Sequence, residues 1–249
     1  MNKLINGDCL EEMKNLEDKS IDLIFCDLPY GQTSCKWDCC VDLELFWKEI
    51  MRIKKLNTPI FFTTTTKFGV ELITSAPKKC FFRYDLVWVK SSPSGFLNSS
   101  RAPMRKHEMI YVFYEKLPFY DLSSHKHKFI KERKSTKGGE KTQISKPQEK
   151  DLYGASNGGT IGNVHGTNYD PPLPTTILEI KSTRGKHSTE KPVALMEWIL
   201  KYYSKEGDVI LDATMGSGST GVACKNMNRR FIGIEKDEEI FKTAEERLK

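Results

Sequence analysis

The sequence predicts an α/β protein: a mostly parallel sheet with helices on both faces, circularly permuted, and a long insertion at one edge. Three observations point there. Short apolar runs alternate with amphipathic stretches over most of the chain, the pattern of strands joined by covering helices. Residues 209–239 read as strand, glycine turn, helix and strand. Residues 117–186 break the rhythm altogether.

Taken in order, Lys3–Asn6 is a short strand, and Asp8 stands ahead of an amphipathic helix over Leu10–Asn15. Ile21–Cys26 is a near-continuous apolar run, as expected of a strand buried on both faces. A helical pattern over Leu43–Ile53 leads to a strand at Pro59–Thr64 and a helix at Phe68–Ser75. Strands are then expected at Phe82–Val89 and Glu108–Tyr114. After the insertion come a helix at Pro192–Tyr203, a strand at Val209–Asp212, a helix at Thr220–Met227, a strand at Phe231–Gly233 and a helix at Glu238–Leu248. The catalytic and ligand-binding domain is thereby assigned to 1–116 and 187–249, and the insertion to 117–186. The insertion runs from basic to glycine- and asparagine-rich (GASNGGTIGN, 154–163) to proline-rich (DPPLP, 170–174). A compact domain seldom keeps so long an irregular stretch without a use for it, which favours a binding role.

Composition narrows the class. At 249 residues with 38% hydrophobic content, one sizeable core is affordable. No apolar run approaches the ~20 residues that cross a bilayer, and MNKLINGD has no signal-peptide character, so a soluble, non-secreted protein is expected. Seven cysteines, an odd number not spaced as a disulfide framework, fit a reducing cytoplasm. CKWDCC (35–40) lacks a second Cys or His pair at ligand spacing, so no metal is expected. Net charge is +6, and residues 122–146 alone hold eight Lys or Arg against two Glu. The excess therefore sits in one segment, either a solvated loop or a phosphate-contacting element.

Two motifs carry chemistry. Gly216, Gly218 and Gly221 form G-x-G-x-x-G directly after an apolar strand, and Glu235 follows Gly216 by 19 residues at the end of the next strand. Such glycines permit a tight turn and a close ligand at a helix N-terminus, and such an acid accepts hydrogen bonds from ribose hydroxyls. This is half of a Rossmann-like unit, which needs a third strand that the remaining sequence does not supply. Lys3–Asn6 can supply it if it lies beside the Glu235 strand, the circular permutation. Asp8 and the backbone of Cys9 would then face a nucleoside's adenine, although Asp8 also fits a plain helix cap. The second motif is DLPY, Asp27–Tyr30, which ends the apolar run at 21–26. In open parallel sheets ligands bind beyond the carboxyl ends of strands. An amine acceptor beside a flat ring suits a nucleobase with an exocyclic amino group.

With these residues in view, the chain resembles the S-adenosylmethionine-dependent amino-group DNA methyltransferases of the permuted beta class. Their signature is Asp/Asn/Ser-Pro-Pro-aromatic, and DLPY matches three of its four positions. DATMGSGSTG (212–221) and HSTEKPVALMEWIL (187–200) are similar to their cofactor-binding segments, in the expected order. The resemblance implies a Rossmann-like methyltransferase sheet and a site-specific DNA methyltransferase acting on adenine N6 of a flipped base in duplex DNA. Asp27 and the Leu28 carbonyl would grip the amino group on a Pro29-stiffened turn, and Tyr30 would stack on the ring. Asp8, Cys9, Asp27, Thr189, Lys191, Asp212, Gly216, Ser217, Gly218, Ser219 and Glu235 would surround the cofactor. The insertion would be the target-recognition region, with Lys126, Lys128, Lys131, Arg133 and Lys134 neutralising phosphates. Leucine at 28 departs from the family's usual proline; its main-chain oxygen is retained. Cytosine N4 stays open as the acceptor, because serine rather than aspartate is commoner there in cytosine enzymes. A homodimer, a restriction-endonuclease partner and a bacterial or phage-infected cytoplasm are compatible with the resemblance. A nicotinamide-dependent oxidoreductase would share the glycine turn and Glu235, but would leave DLPY without a role, and none of the nine tyrosines has a lysine four residues later.

Overall fold

The computed structural model describes residues 2–29, 41–127, 169–182 and 190–249. They fall into two compact units, 1–121 with 176–249, and 122–175.

The first unit is built on an eight-stranded sheet, in chain order β1 (Lys3–Asn6), β2 (Leu23–Cys26), β3 (Ile60–Thr64), β4 (Phe81–Ser94), β5 (Arg105–Tyr114), β8 (Ile177–Leu178), β9 (Val209–Asp212) and β10 (Arg230–Glu235). The spatial order is β1-β10-β9-β2-β3-β5-β4-β8. The five strands from β1 to β3 run parallel; β5 lies antiparallel to β3 and to β4. β1 pairs with β10 from Lys3↔Ile232 to Asn6↔Glu235, so the permuted third strand is the one expected. β8, which composition had placed within the insertion, pairs with β4 at Val87↔Ile177 and Trp88↔Leu178.

Helices α1 (Cys9–Glu12), α2 (Leu43–Ile53), α3 (Thr66–Ser75), α4 (Val193–Tyr203), α5 (Ser219–Asn226) and α6 (Glu238–Leu248) connect the strands. α1 is shorter than expected and tightens into a 3₁₀ turn at Met13–Asn15. Side chains on the central strands split between two apolar clusters. Ile24, Cys26, Ile60 and Phe62 pack with Phe46, Trp47 and Ile50 of α2. Leu23, Phe25 and Phe61 pack with Leu195, Met196 and Ile199 of α4. Fully apolar central strands are what two covered faces require. No described helix is long and apolar enough to cross a membrane.

The second unit contains a two-stranded ladder between β6 (Lys126–His127) and β7 (Tyr169–Asp170). Its anchor is His125, buried, whose Nδ1 lies 2.9 Å from the Pro171 carbonyl oxygen. Tyr30, the CKWDCC stretch, Lys128, Lys131, Arg133, Lys134, the GASNGGTIGN stretch and Thr189 lie outside the described residues.

Candidate active site

Register alone assembles the site. Gly233 pairs with Asp212, and Asp212 with Phe25. Hence the carboxyl ends of β10, β9 and β2 are level, and Glu235, the glycine turn and Asp27 follow at one edge of the sheet. Two strand spacings separate the outer pair, about 10 Å.

Asp27 is tied down from two sides. The Thr63 hydroxyl, on β3, donates to Oδ1. Lys191 Nζ stands 2.5 Å from Oδ2 and 3.6 Å from Glu108 Oε2, and Lys90 Nζ lies 3.2 Å from Glu108 Oε1. Burial pulls the Lys191 ammonium downward, but Asp27 and Glu108 outweigh it and hold the group above the usual lysine value. Lys191 thus meets Asp27 directly. Neither Thr63 nor Glu108 carries a motif in the sequence; pairing of β3 with β5, Thr64 opposite Met109, brings both to the strand ends. Leu28 is buried in the first apolar cluster. Its side chain anchors the turn in the core, so leucine supplies by packing some of the stiffness a proline would supply by its ring.

The three glycines do different work. Gly216 has φ +53°, and a Cβ there would meet nothing within 4 Å, so its backbone is open to a ligand. Gly218 also lies in the left-handed region, φ +83°, which favours glycine. Gly221 is a packing glycine, since a Cβ would come within 2.7 Å of Leu248 and Phe231. Glu235 accepts hydrogen bonds from the Gly216 amide (3.0 Å) and the Asp237 amide (2.9 Å); each oxygen keeps a further lone pair. Burial raises its pKa. Asp212 is buried, accepts from the Thr220 hydroxyl at 2.6 Å and the Thr214 amide at 3.2 Å, and is pushed up to about 7, mainly by burial, with Asp27 and Glu235 adding repulsion.

Ser217 and Ser219 are buried and turn their hydroxyls to a clasp that no motif announces. Arg247, near the end of α6, lies 2.6 Å from Glu190 Oε1 and donates to Ser217 Oγ (3.2 Å) and Ser219 Oγ (3.4 Å). Ser219 Oγ in turn donates to Glu190 at 3.3 Å. At the far side Asp8 caps α1, accepting from the Leu10 amide at 2.9 Å, and pairs with Lys236 at 3.1 Å. Lys236 and the Asp8 cap leave the Asp8 pKa lowered although burial opposes them. Cys9 is buried, and its thiol is pushed up to about 12 by that burial and by Asp8, so it is no nucleophile at neutral pH.

An adenosyl amino acid fits these residues. Gly216 leaves backbone clear for it, Glu235 offers a half-buried acceptor, and the Thr214 hydroxyl is buried without a hydrogen-bond partner among the described residues. A parallel sheet with a glycine turn, a ribose-type acid on the adjoining strand and an Asp-x-Pro turn at the same edge defines a nucleotide-cofactor transferase of Rossmann-like architecture.

The particular family is the N6/N4 DNA methylases: their family model matches residues 21–246, and this chain belongs to that family. It is therefore a DNA methyltransferase that uses S-adenosylmethionine. Among curated relatives it is similar to the Type II methyltransferase M.HinfI of Haemophilus influenzae, 28% identical over all of this chain and 68% of that protein. It is likewise similar to M.HpaI of Haemophilus parainfluenzae, 27% identical over 99% of this chain and 74% of the relative. Among solved structures, the M1.HpyAVI–SAM complex shares the fold at TM-score 0.64 and 24% identity, with both chains covered fully. PvuII DNA methyltransferase, cytosine-N4-specific, shares it at TM-score 0.67 and 14% identity, over 99% of this chain and 86% of that one.

Proposed function

We propose that this chain methylates N6 of adenine at specific sites in duplex DNA, on a base flipped out of the stack. The observation that carries the reading is Asp27, fixed by Thr63 and Lys191 at the end of β2, level with the glycine turn and Glu235. Bound S-adenosylmethionine supplies an electrophilic methyl group on its sulfonium. Glu235 would hold the ribose, and Asp8 with the Cys9 backbone the adenine ring. Thr189, Lys191, Asp212, Thr214, Gly216, Ser217, Gly218 and Ser219 would enclose the methionine part.

A carboxylate offers about four acceptor sites, so Asp27 would take an amino N–H beside the Thr63 hydroxyl and Lys191. If the Leu28 carbonyl takes the other hydrogen and Tyr30 stacks on the ring, the nitrogen lone pair would be left free to accept the methyl group. The cofactor would give its methyl group to that nitrogen and leave as the thioether, and the surplus proton on nitrogen would pass to water. Such positioning supplies much of the rate.

Residues 117–186 would recognise the target, with Lys126, Lys128, Lys131, Arg133 and Lys134 against phosphates. A homodimer, a restriction-endonuclease partner and a cytoplasmic setting in a bacterial or phage-infected cell complete the proposal. Nucleoside mass spectrometry of plasmid DNA incubated with the enzyme tests the base. N6-methyladenine is expected; N4-methylcytosine in its place would overturn the assignment, since that amine could use the same acceptors.

A further inference from the structure

We propose that the β4–β5 hairpin is a DNA finger, with Phe96 and Leu97 at its tip filling the gap left in the stack when the target base is extruded. The proposal rests on the DNA methyltransferase reading. It begins with direction. β5 runs antiparallel to β3, and Thr64, the last residue of β3, pairs with Met109. Residues of β5 that precede Met109 therefore lie beyond the carboxyl edge of the parallel strands, on the side that holds Asp27. Glu108 marks the level of the active centre, because it shares Lys191 with Asp27. Pairing of the two hairpin strands resumes past that point, Ser94 opposite Arg105. From Glu108 to Arg105 the arm rises roughly 10 Å above the site.

The arm is built to hold its shape. Ser91 and Ser182 exchange reciprocal amide-to-hydroxyl hydrogen bonds at 3.1 and 3.0 Å, pinning the irregular part of β4. Gly95, φ +92°, turns the chain into a 3₁₀ turn at Phe96–Asn98. Backbone hydrogen bonds from Asn98, Ser99, Arg101 and Ala102 close the tip. On this ordered turn Phe96 is 77% and Leu97 96% exposed. Two large apolar side chains side by side in water, on a rigid support, call for a partner.

The charge selects that partner. Residues 91–107 contain Arg101, Arg105 and Lys106 and no acid. These three cations make no ion pair among the described residues. Apolar wedges between base steps, with flanking cations on the phosphates, are the chemistry by which proteins open a stack. Base extrusion leaves such an opening beside the flipped nucleotide. The edge that would receive the base is the edge from which the finger rises.

Two variant sets test this on the full-length protein. The first is Arg101→Ala/Arg105→Ala/Lys106→Ala, read by the salt dependence of binding to a fluorescent fragment of unmethylated plasmid DNA. Its log–log slope should fall by about 2–3. The second is Phe96→Ser/Leu97→Ser, whose exposed positions leave the core alone. It should lower kcat/KM for methyl transfer to the same DNA at least tenfold, with S-adenosylmethionine affinity within twofold of wild type. Unchanged slopes together with wild-type transfer would overturn the finger. So would sedimentation in which the double serine variant splits a wild-type dimer while DNA binding and transfer are untouched. A wild-type protein that transfers no methyl group would sink the methyltransferase reading instead, and the slopes would still decide the finger.

Discussion

Asp212→Asn should make the cofactor-free protein more stable at pH 8 and leave it nearly unchanged at pH 4. Asp212 is buried with its pKa pushed up to about 7, whereas an unfolded aspartate titrates near 3.9. The folded carboxyl is thus raised, and the sign follows: relative stability is complete below the unfolded value and is lost as pH climbs toward the folded one. Each pH unit in that window costs about 1.4 kcal/mol, so the penalty at pH 8 is on the order of 4 kcal/mol. Asparagine keeps an oxygen for the Thr214 amide and turns its NH2 to donate to the Thr220 oxygen in place of accepting from it, but never ionises. Urea unfolding from pH 5 to pH 7.5 should show the variant gaining roughly 3 kcal/mol over wild type, then no more. A difference between variant and wild type that stays flat over this range would refute the link between burial and charge at β9.

Asp27→Ala is expected to abolish transfer while calorimetry shows S-adenosylmethionine affinity largely intact; an active variant would remove Asp27 from the mechanism. Glu235→Ala should weaken S-adenosylmethionine at least tenfold by calorimetry, the scale of hydrogen bonds to a charged group. Lys191→Met removes the cation that Asp27 and Glu108 share, with Lys90 still on Glu108, and should destabilise by about 1–2 kcal/mol in urea, discounted for their partial exposure. Gly221→Ala forces a methyl to 2.7 Å from Phe231 and Leu248 and should cost about 1–3 kcal/mol of stability, with the loss visible in thermal unfolding.

The parallel half of the sheet was legible because its strands are short, apolar and bounded by helices with clear periodicity. β1, β9, α2 and α6 fall at their expected limits. The edge was less so. β4 and β5 extend to Ser94 and Arg105, past the apolar runs that revealed them, because an arm leaving the sheet has no core to face and so no alternation to read. β8 is two residues long, too short for any pattern. In the site, motif residues at strand ends announced themselves, as Asp27, Asp212 and Glu235 did. Thr63, Glu108 and Arg247 did not, because each owes its position to a pairing across distant sequence: β3 with β5, or α6 with the glycine turn. One threonine among the four in FFTTTTK, or an arginine near the end of a charged helix, has no local mark of such a neighbour.

The clasp of Arg247 on Glu190, Ser217 and Ser219 has a dynamic corollary. Undocking the last turn of α6 must loosen the glycine turn, and a ligand resting on that turn must oppose the undocking. Adding S-adenosylmethionine should accordingly slow amide exchange in Glu245–Leu248, a stretch distant from Gly216 in the chain and tied to it through two serines.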